Sequence, residues 1–457
     1  MSFFKAYDMR GTFAVDFDLD EVYRIGRALP QVVKGSRWLI GRDGRLSSEA
    51  MREALLLGLH DAGAEVTDLG LSTTSMLYFF TGEDGFDGSV MITASHNPPS
   101  DNGLKVSCRG ARPVSYASGL QDVEKIVKGL SALRFDPARV ASLPTTSTAE
   151  QDAYKARYLA WQEAHGRFSS LQSLRLAIDC SNGMSALFVK RLFPNALILN
   201  DIVDGNFPAH SPNPLNPAAR EMVSRAVREQ GLDAGLIFDG DADRAMFVDE
   251  TGAFVQCDYL IPVVADETDL SGAHRRVHPA VLHDIRSSRG AIETLREKGF
   301  EPVMVPVGPA LAKPLMRERE ACAGGELAGH YYFREFHFCD SGLLAAARVL
   351  SALVKAREHG ETFSAMMRPI VSRYANSGER NYRTDDKDGA IARMVAAAES
   401  FGAVRARSDM DGVRLEFDEG WLNVRKSNTE PFLRLLVEHR SPETLQKWIT
   451  ALEAVLG

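Results

Sequence analysis

The sequence predicts an α/β protein of three or four domains, with mainly parallel sheets through most of the chain and a small α+β domain at its end. Three observations carry that expectation. The chain has 457 residues, too many for one hydrophobic core. Over roughly the first 365 residues, short apolar runs alternate with helix-period stretches, and a polar loop follows each run. Beyond that point the order changes to one helix, three strand-like runs and a final helix.

The elements follow in order. Asp18 and Glu21 have capping-box spacing, and Val22, Ile25 and Leu29 continue at helical period. RWLI, from Arg37 to Ile40, reads as a buried strand that the loop GRDGR leaves. Ser47 or Ser48 is expected to cap a helix through ALLLGLH that Gly63 ends. Glu65 to Leu69 is strand-like, Met76 to Phe80 helical, and Ser89 to Thr93 an apolar strand that ASHNPP leaves. The pattern recurs at Arg175 to Asp179, followed by helix-like ALFVKRLF, and at Leu236 to Phe238, followed by DGDADR. It recurs again at Ala280 to His283, with a helix to about Lys298 and a strand from Pro302 to Val305. The terminal unit has a helix from Gly389 to Glu399, strands near Val413–Phe417, Trp421–Val424 and Leu433–Val437, and a helix from about Pro442 to Val455. Polar or Pro-bearing stretches at Ser142–Thr148, Asp249–Gly252 and Glu358–Thr362 are the expected linkers, dividing the chain into 1–147, 148–252, 253–362 and 363–457.

Composition narrows the function. Apolar residues make up 45% and charged residues 25%, ordinary for a globular protein. A net charge of −8 offers no global field for nucleic acid or an anionic membrane, so neither is an expected partner. Five scattered cysteines without a C-x-x-C pair suggest reduced thiols rather than a disulfide framework or zinc site. The N-terminus lacks a secretory apolar core and no run of 18 apolar residues occurs, so a cytoplasmic protein is expected.

Three loops carry chemistry. Thr93-Ala94-Ser95-His96-Asn97-Pro98-Pro99, with Asn102-Gly103-Leu104-Lys105 behind it, starts where a parallel strand ends, the place α/β sheets use for ligands. Ser95 there can be a nucleophile, although the G-x-S-x-G elbow is absent; alone, the segment also reads as a polar turn. Asp239, Asp241 and Asp243 alternate along DGDADR and can aim their oxygens at one hard cation such as Mg²⁺. An EF-hand shares that spacing and would use Glu250, but Arg244 replaces the required glycine and the flanks read as strands. Arg425-Lys426-Ser427-Asn428-Thr429-Glu430-Pro431 offers a guanidinium, hydroxyls and loop N–H groups for a phosphate, without a Walker pattern. Tyr7, Asp8, Arg10, Arg42, Arg45, Arg286, Arg289, Glu326 and His330 fall near other strand ends; each alone reads as readily as a local structural group.

In this order, the serine loop TASHNPP, the acidic loop DGDADR, the loop GELAGH and the loop RKSNTEP resemble the α-D-phosphohexomutase superfamily along essentially the whole chain. FKAYDMRG, ARPVS, DGNFP, SPNPLNP and CDSG are most similar to its phosphomannomutase and dual-specificity phosphomannomutase/phosphoglucomutase branches. The resemblance implies three similar α/β domains with mixed, mainly parallel sheets plus a C-terminal α+β domain around a central cleft. It implies an isomerase that interconverts hexose 1-phosphate and hexose 6-phosphate, mannose favoured, through phosphorylated Ser95 and a hexose 1,6-bisphosphate that also serves as activator. By the same match, Ser95, Asp239, Asp241 and Asp243 surround Mg²⁺, and Arg10, Lys105 and His330 assist transfer. Tyr7, Arg244, Arg286, Glu326, Arg425, Ser427, Asn428 and Thr429 bind the sugar phosphate, with Lys105 or His330 as proton acceptor. Two departures stand out: Val307-Gly308-Pro309 where relatives often have Thr-Gly-His, and Ala328 where many have Ser. A glucose-preferring or dual-specificity mutase, a phosphatase using the same serine, and a non-catalytic sugar-phosphate sensor are the alternatives.

Overall fold

The computed structural model describes residues 3–268, 278–427 and 432–456. Four sheets follow one another along the chain. The first has strand order Met9–Thr12, Asp101–Cys108, Gly88–Ile92, Arg37–Arg42, Glu65–Leu71, with the short Arg112–Pro113 strand beside Asp101–Cys108. Arg37–Arg42 is parallel to both Gly88–Ile92 and Glu65–Leu71, whereas Asp101–Cys108 returns antiparallel.

The second and third sheets repeat this plan. Leu176–Asp179 is parallel to Leu197–Leu199 and to Ala234–Phe238, and Ala245–Val248 returns antiparallel. Ala280–Asp284 is parallel to Glu301–Val305 and to Ala323–Gly325, and Tyr331–Phe333 returns antiparallel. The fourth sheet is antiparallel throughout. The serine loop, the acidic loop and the GELAGH loop are therefore one topological position used three times, the hairpin between a parallel strand and its antiparallel return.

A second correspondence lies at the end of the neighbouring strand. Asp43, Asp179 and Asp284 each end or directly follow the strand that has two parallel neighbours in their sheet. Each accepts the backbone N–H two residues on, from Arg45, Ser181 and Arg286, at 3.0, 2.8 and 2.7 Å. This Asx geometry turns the chain sharply off the sheet at the same place in all three units.

The helices form as their caps dictate, with two exceptions. Asp18 accepts from Glu21 N at 2.8 Å and opens Leu19–Val32, as its spacing predicts. Ser47 and Ser48 do not cap the helix Ser48–Asp61 through their side chains; both hydroxyls accept from Asn102 Nδ2 at 2.9 Å. They are spent on holding the loop after Ser95. The predicted helix through ALFVKRLF is a 3₁₀ turn at Met184–Leu187 and a separate helix at Val189–Leu192, broken at Phe188, which is not helical, and ended where Pro194 keeps Phe193 out of helical conformation. Leu19–Val32 and Ser48–Asp61 cross closely: a Cβ on Gly58 would stand 2.2 Å from Tyr23 O.

Two of the expected linkers take other local forms. Asp249–Gly252 is a hairpin turn inside the second sheet, since Phe254–Val255 still pairs with Ala245–Val248 and Asp249 holds Thr251 N and Ala253 N. Glu358–Thr362 joins two helices, Gly342–Glu358 and Phe363–Val371, and the second buries Phe363, Met367 and Ile370 in the large core beside the first. The fourth sheet begins only at Ala375. All five cysteines are free thiols. Among the described residues no helix is long and apolar enough to cross a membrane.

Candidate active site

Strand Gly88–Ile92 is buried along its whole length and delivers Ser95 into the interior. Ser95 has φ +51°, a left-handed conformation that costs a non-glycine residue about 1–2 kcal/mol. The surroundings hold it there. Its N–H donates to Thr93 Oγ1 at 2.8 Å. The buried guanidinium of Arg45 donates to Ser95 O at 2.9 Å, Asn97 O at 2.7 Å, Pro98 O at 2.6 Å and Asp101 O at 2.9 Å. Asp43 anchors Arg45 through Nε at 3.1 Å. Arg10 adds bonds to Ala94 O at 3.2 Å and Asn97 Oδ1 at 3.1 Å. Arg10 thus reaches the serine loop as the sequence anticipates, whereas Arg45, a minor candidate from sequence, organises the entire loop.

The acidic loop closes over Ser95 from the second unit. A Cβ on Gly240 would stand 2.5 Å from Ser95 O, so only glycine lets the two loops meet. Ser95 Oγ donates to Asp239 Oδ2 at 2.7 Å. Lys105 Nζ lies 2.7 Å from both Asp241 Oδ2 and Asp243 Oδ2, and Thr74 Oγ1 donates to Asp241. Arg244 Nε lies 3.3 Å from Asp239 Oδ2, and its Nη2 is 3.4 Å from Ser95 Oγ.

Three fully buried carboxylates cannot stay charged without compensation. Burial, with Asp243 and Asp241 nearby, pushes the Asp239 carboxyl up to about 7. Asp243 is also buried, but Lys105 and His330 draw it below the usual carboxylate range. Burial would lower the Lys105 ammonium, yet Asp241 and Asp243 hold it well above its ordinary value. Burial and the cations Arg244, Arg10 and Lys105 keep His96 neutral, far below its usual range.

A cation fits these residues. One oxygen from each of Asp239, Asp241 and Asp243 lies within 4.8 Å of the others. Asp241 Oδ1 and Asp243 Oδ1 are buried and have no hydrogen-bond partner. Such orphaned anionic oxygens suit a hard divalent ion. The EF-hand alternative fails on the fold: the loop joins two antiparallel strands, and Glu250 accepts from Ser364 N at 3.0 Å instead of reaching back.

The third unit supplies the opposite wall. Glu326 and His330 close one tight turn, with Glu326 N donating to His330 O at 2.9 Å. His330 Nδ1 lies 2.7 Å from Asp340 Oδ2 and 3.6 Å from Asp243 Oδ1. Burial alone would lower His330, but Asp243 leads the neighbours that raise it, with Asp340 adding to them against Arg244. Lys313, buried against the Tyr78 ring, anchors Asp340 at 2.7 Å. Glu326 accepts from Tyr332 OH and from Gly308 N at 3.1 Å, and Arg286 Nη2 stands 3.8 Å away. Tyr7 covers Gly308, whose added Cβ would meet the ring at 3.2 Å. Pro309, the first departure, is the first residue of the helix Pro309–Glu318, where its missing N–H costs nothing.

The fourth unit brings Arg425 to this wall, 3.1 Å from Glu379 Oε1, with Ser427 buried beside the strand end. Asn428 and Thr429 lie outside the described residues. The structure thus gathers Ser95, Arg10, Lys105, Arg244, His330 and the three aspartates into one cluster, and the turn from Glu326 to His330 joins it to a second group of Tyr7, Arg286, Glu326 and Arg425. Sequence reasoning under-ranked or missed Arg45, Thr74, Asp340, Tyr332 and Glu379. Arg45 was named among several arginines near strand ends, and of the other four Asp340 alone left a signal, in the CDSG motif.

Comparison with known proteins completes the picture. The phosphoglucomutase/phosphomannomutase alpha/beta/alpha domains I, II and III match residues 1–133, 157–252 and 256–374, and the C-terminal domain of that family matches 379–455. The chain is 36% identical over 450 residues to a phosphomannomutase of Salmonella montevideo, covering 96% of this chain and 94% of that protein. It is 35% identical over 448 residues to a protein named phosphohexose mutases from Xanthomonas campestris, covering 97% and 96%. Among solved structures, a phosphoglucomutase/phosphomannomutase family protein from Burkholderia thailandensis superposes with a TM-score of 0.83 at 27% identity, covering 99% of this chain and 96% of that one.

Proposed function

This chain belongs to the phosphoglucomutase/phosphomannomutase family, and from that premise we propose that it is a hexose phosphate mutase, an isomerase that interconverts hexose 1-phosphate and hexose 6-phosphate. The observation that carries the reading is Ser95 Oγ bonded at 2.7 Å to Asp239 within a buried aspartate triad that retains two orphaned oxygens. Ser95 carries the exchangeable phosphoryl group. Asp239, Asp241 and Asp243 would hold Mg²⁺, which when bound neutralises phosphoryl charge and improves the serine as a leaving group. The names of the relatives favour mannose.

The residues divide the work. Arg425 and Ser427, with Asn428 and Thr429, grip the phosphate that is not transferred, and Arg286, Glu326 and Tyr7 contact the sugar between the two ends. Arg244 and Lys105 face the moving phosphoryl group, whose loose transition state needs positioning and positive charge more than covalent help. The sequence leaves Lys105 and His330 open as proton acceptors. Lys105, clamped by two carboxylates and held protonated, contributes charge instead. His330, oriented by Asp340, is the remaining acceptor; Asp243 and Asp340 favour its charged form too, so it takes the proton of the attacking hydroxyl only after shedding its own. The resulting hexose 1,6-bisphosphate reorients so that its other phosphate faces Ser95, which recovers a phosphoryl group.

The test is ³¹P NMR of the protein with Mg²⁺ and a trace of hexose 1,6-bisphosphate, given mannose 1-phosphate or glucose 1-phosphate. Conversion to the 6-phosphate supports the mutase, and the ratio of rates ranks the sugars. Ser95→Ala is expected to lose at least about 10³-fold in turnover with an unchanged melting temperature. Release of free phosphate alone, or substantial turnover by Ser95→Ala, would overturn the reading.

A further inference from the structure

Glu379 lies on the passage from the third unit into the fourth, immediately before strand Arg380–Arg383. Three arginines converge on its carboxylate. Oε1 lies 3.1 Å from Arg425 Nη2 and 3.5 Å from Arg286 Nη1, and Oε2 lies 3.1 Å from Arg434 Nη1. Arg425 and Arg434 are direct cross-strand partners in the fourth sheet, a like-charge pairing that repels. Arg286 adds a third guanidinium from the other unit, itself fixed by Asp284 at 2.6 Å. A small anion held by several guanidinium forks is how proteins bind a phosphate dianion. Here a side chain of the protein occupies that role.

The charges agree with the geometry. Burial alone would raise the Glu379 carboxyl, but Arg286, Arg425 and Arg434 hold it below its ordinary value, so it is anionic at neutral pH. The Glu379 side chain is 20% exposed and that of Arg425 only 3%, so little solvent screens the contact.

We propose that Glu379 is a built-in stand-in for the substrate phosphate. It neutralises Arg425 and Arg434 in the free protein and keeps them aimed into the cleft, and an arriving phosphate displaces it from that pair. Released from the strands, Glu379 retains Arg286, so phosphate arrival at the fourth unit is felt at the sugar-contacting wall of the third. The proposal rests on the reading of Arg425–Thr429 as the phosphate site. Competition from an internal anion weakens ground-state binding and speeds departure of the product phosphate.

The test is calorimetric titration of inorganic phosphate into the wild type, Glu379→Gln, Glu379→Asp and Arg425→Ala at fixed ionic strength, beside steady-state turnover. Glu379→Gln keeps the shape and loses the competing charge, so phosphate binds about tenfold more tightly, and KM and kcat both fall. Glu379→Asp keeps the charge but draws it back from the arginines, so its affinity falls between the two and gives the same sign should the glutamine variant fold poorly. Affinity unchanged or weakened in both Glu379 variants, while Arg425→Ala weakens binding, overturns the stand-in alone. Equal phosphate binding by the wild type and Arg425→Ala overturns the phosphate-site reading and the stand-in with it.

Discussion

Arg45 shows how one residue can set a whole loop through its backbone alone. Its single guanidinium joins the carbonyls of Ser95, Asn97, Pro98 and Asp101, which pins the left-handed serine and the loop behind it. A lysine offers one compact ammonium in place of a planar fork and leaves buried carbonyls unpaired, at about 1–3 kcal/mol each. Arg45→Lys is therefore expected to lose about 3 kcal/mol of stability and at least about 10²-fold in kcat through misplacement of Ser95. Thermal melts and ³¹P-monitored turnover check this; wild-type turnover would show that the loop keeps its shape without Arg45. The three aspartates stood out in the sequence by their alternate spacing, and Ser95 by the motif around it. Arg45 showed only as one arginine among several near strand ends, because its partners are backbone carbonyls some fifty positions away, and a carbonyl leaves no trace in residue identity.

At the level of elements, strands that end in polar loops were readable to within two residues, since apolar runs and punctuation mark them. The antiparallel return strands Asp101–Cys108 and Tyr331–Phe333 were not, because they follow their loops directly, the first carries mixed side chains and the second has only three residues. Nor does a sequence reveal what a helix start rests on. The helix Arg289–Glu297 is seated on Asp258, whose Oδ2 accepts Ser288 N at 2.8 Å while its Oδ1 has no hydrogen-bond partner. Burial, with Glu438 and Asp284 close by, pushes the Asp258 carboxyl up to about 7. The folded protein therefore keeps a proton there that the unfolded chain releases near pH 3.9. This contribution is full below the unfolded value, is lost as pH rises toward 7 and is constant above it. Between pH 5 and pH 8 it amounts to about 3 kcal/mol. Asp258→Asn keeps the acceptor for Ser288 without the titration. Its melting temperature is expected to fall less than that of the wild type over this range, and parallel pH profiles would show that Asp258 is ionised in the fold.

Across the whole molecule, one α/β plan is used three times, and its equivalent hairpins carry Ser95, the acidic triad and the turn from Glu326 to His330. Loop order along the sequence foretold that repetition. The joints were harder to read, because a turn inside a hairpin and a linker between domains share the same polar residues, as Asp249–Gly252 shows. The decisive joint lies between the third and fourth units. Arg289 N donates to Glu438 Oε2 at 2.8 Å, and its guanidinium donates to Asp418 O at 2.9 Å and Phe417 O at 2.8 Å. It also pairs with Glu416 at 3.0 Å. The side chain stands at the rim, 20% exposed, so its removal leaves both cores intact. Arg289→Ala is expected to free the fourth unit from the loop that carries Arg286, with a larger radius of gyration in small-angle scattering and a KM raised about tenfold, the effect of roughly 1.4 kcal/mol of lost docking. If docking also excludes water from the phosphoryl group, free phosphate rises relative to 6-phosphate product. A variant with wild-type dimensions and wild-type partition between these products would show that the fourth unit is held by other contacts and that Arg289 does not govern closure.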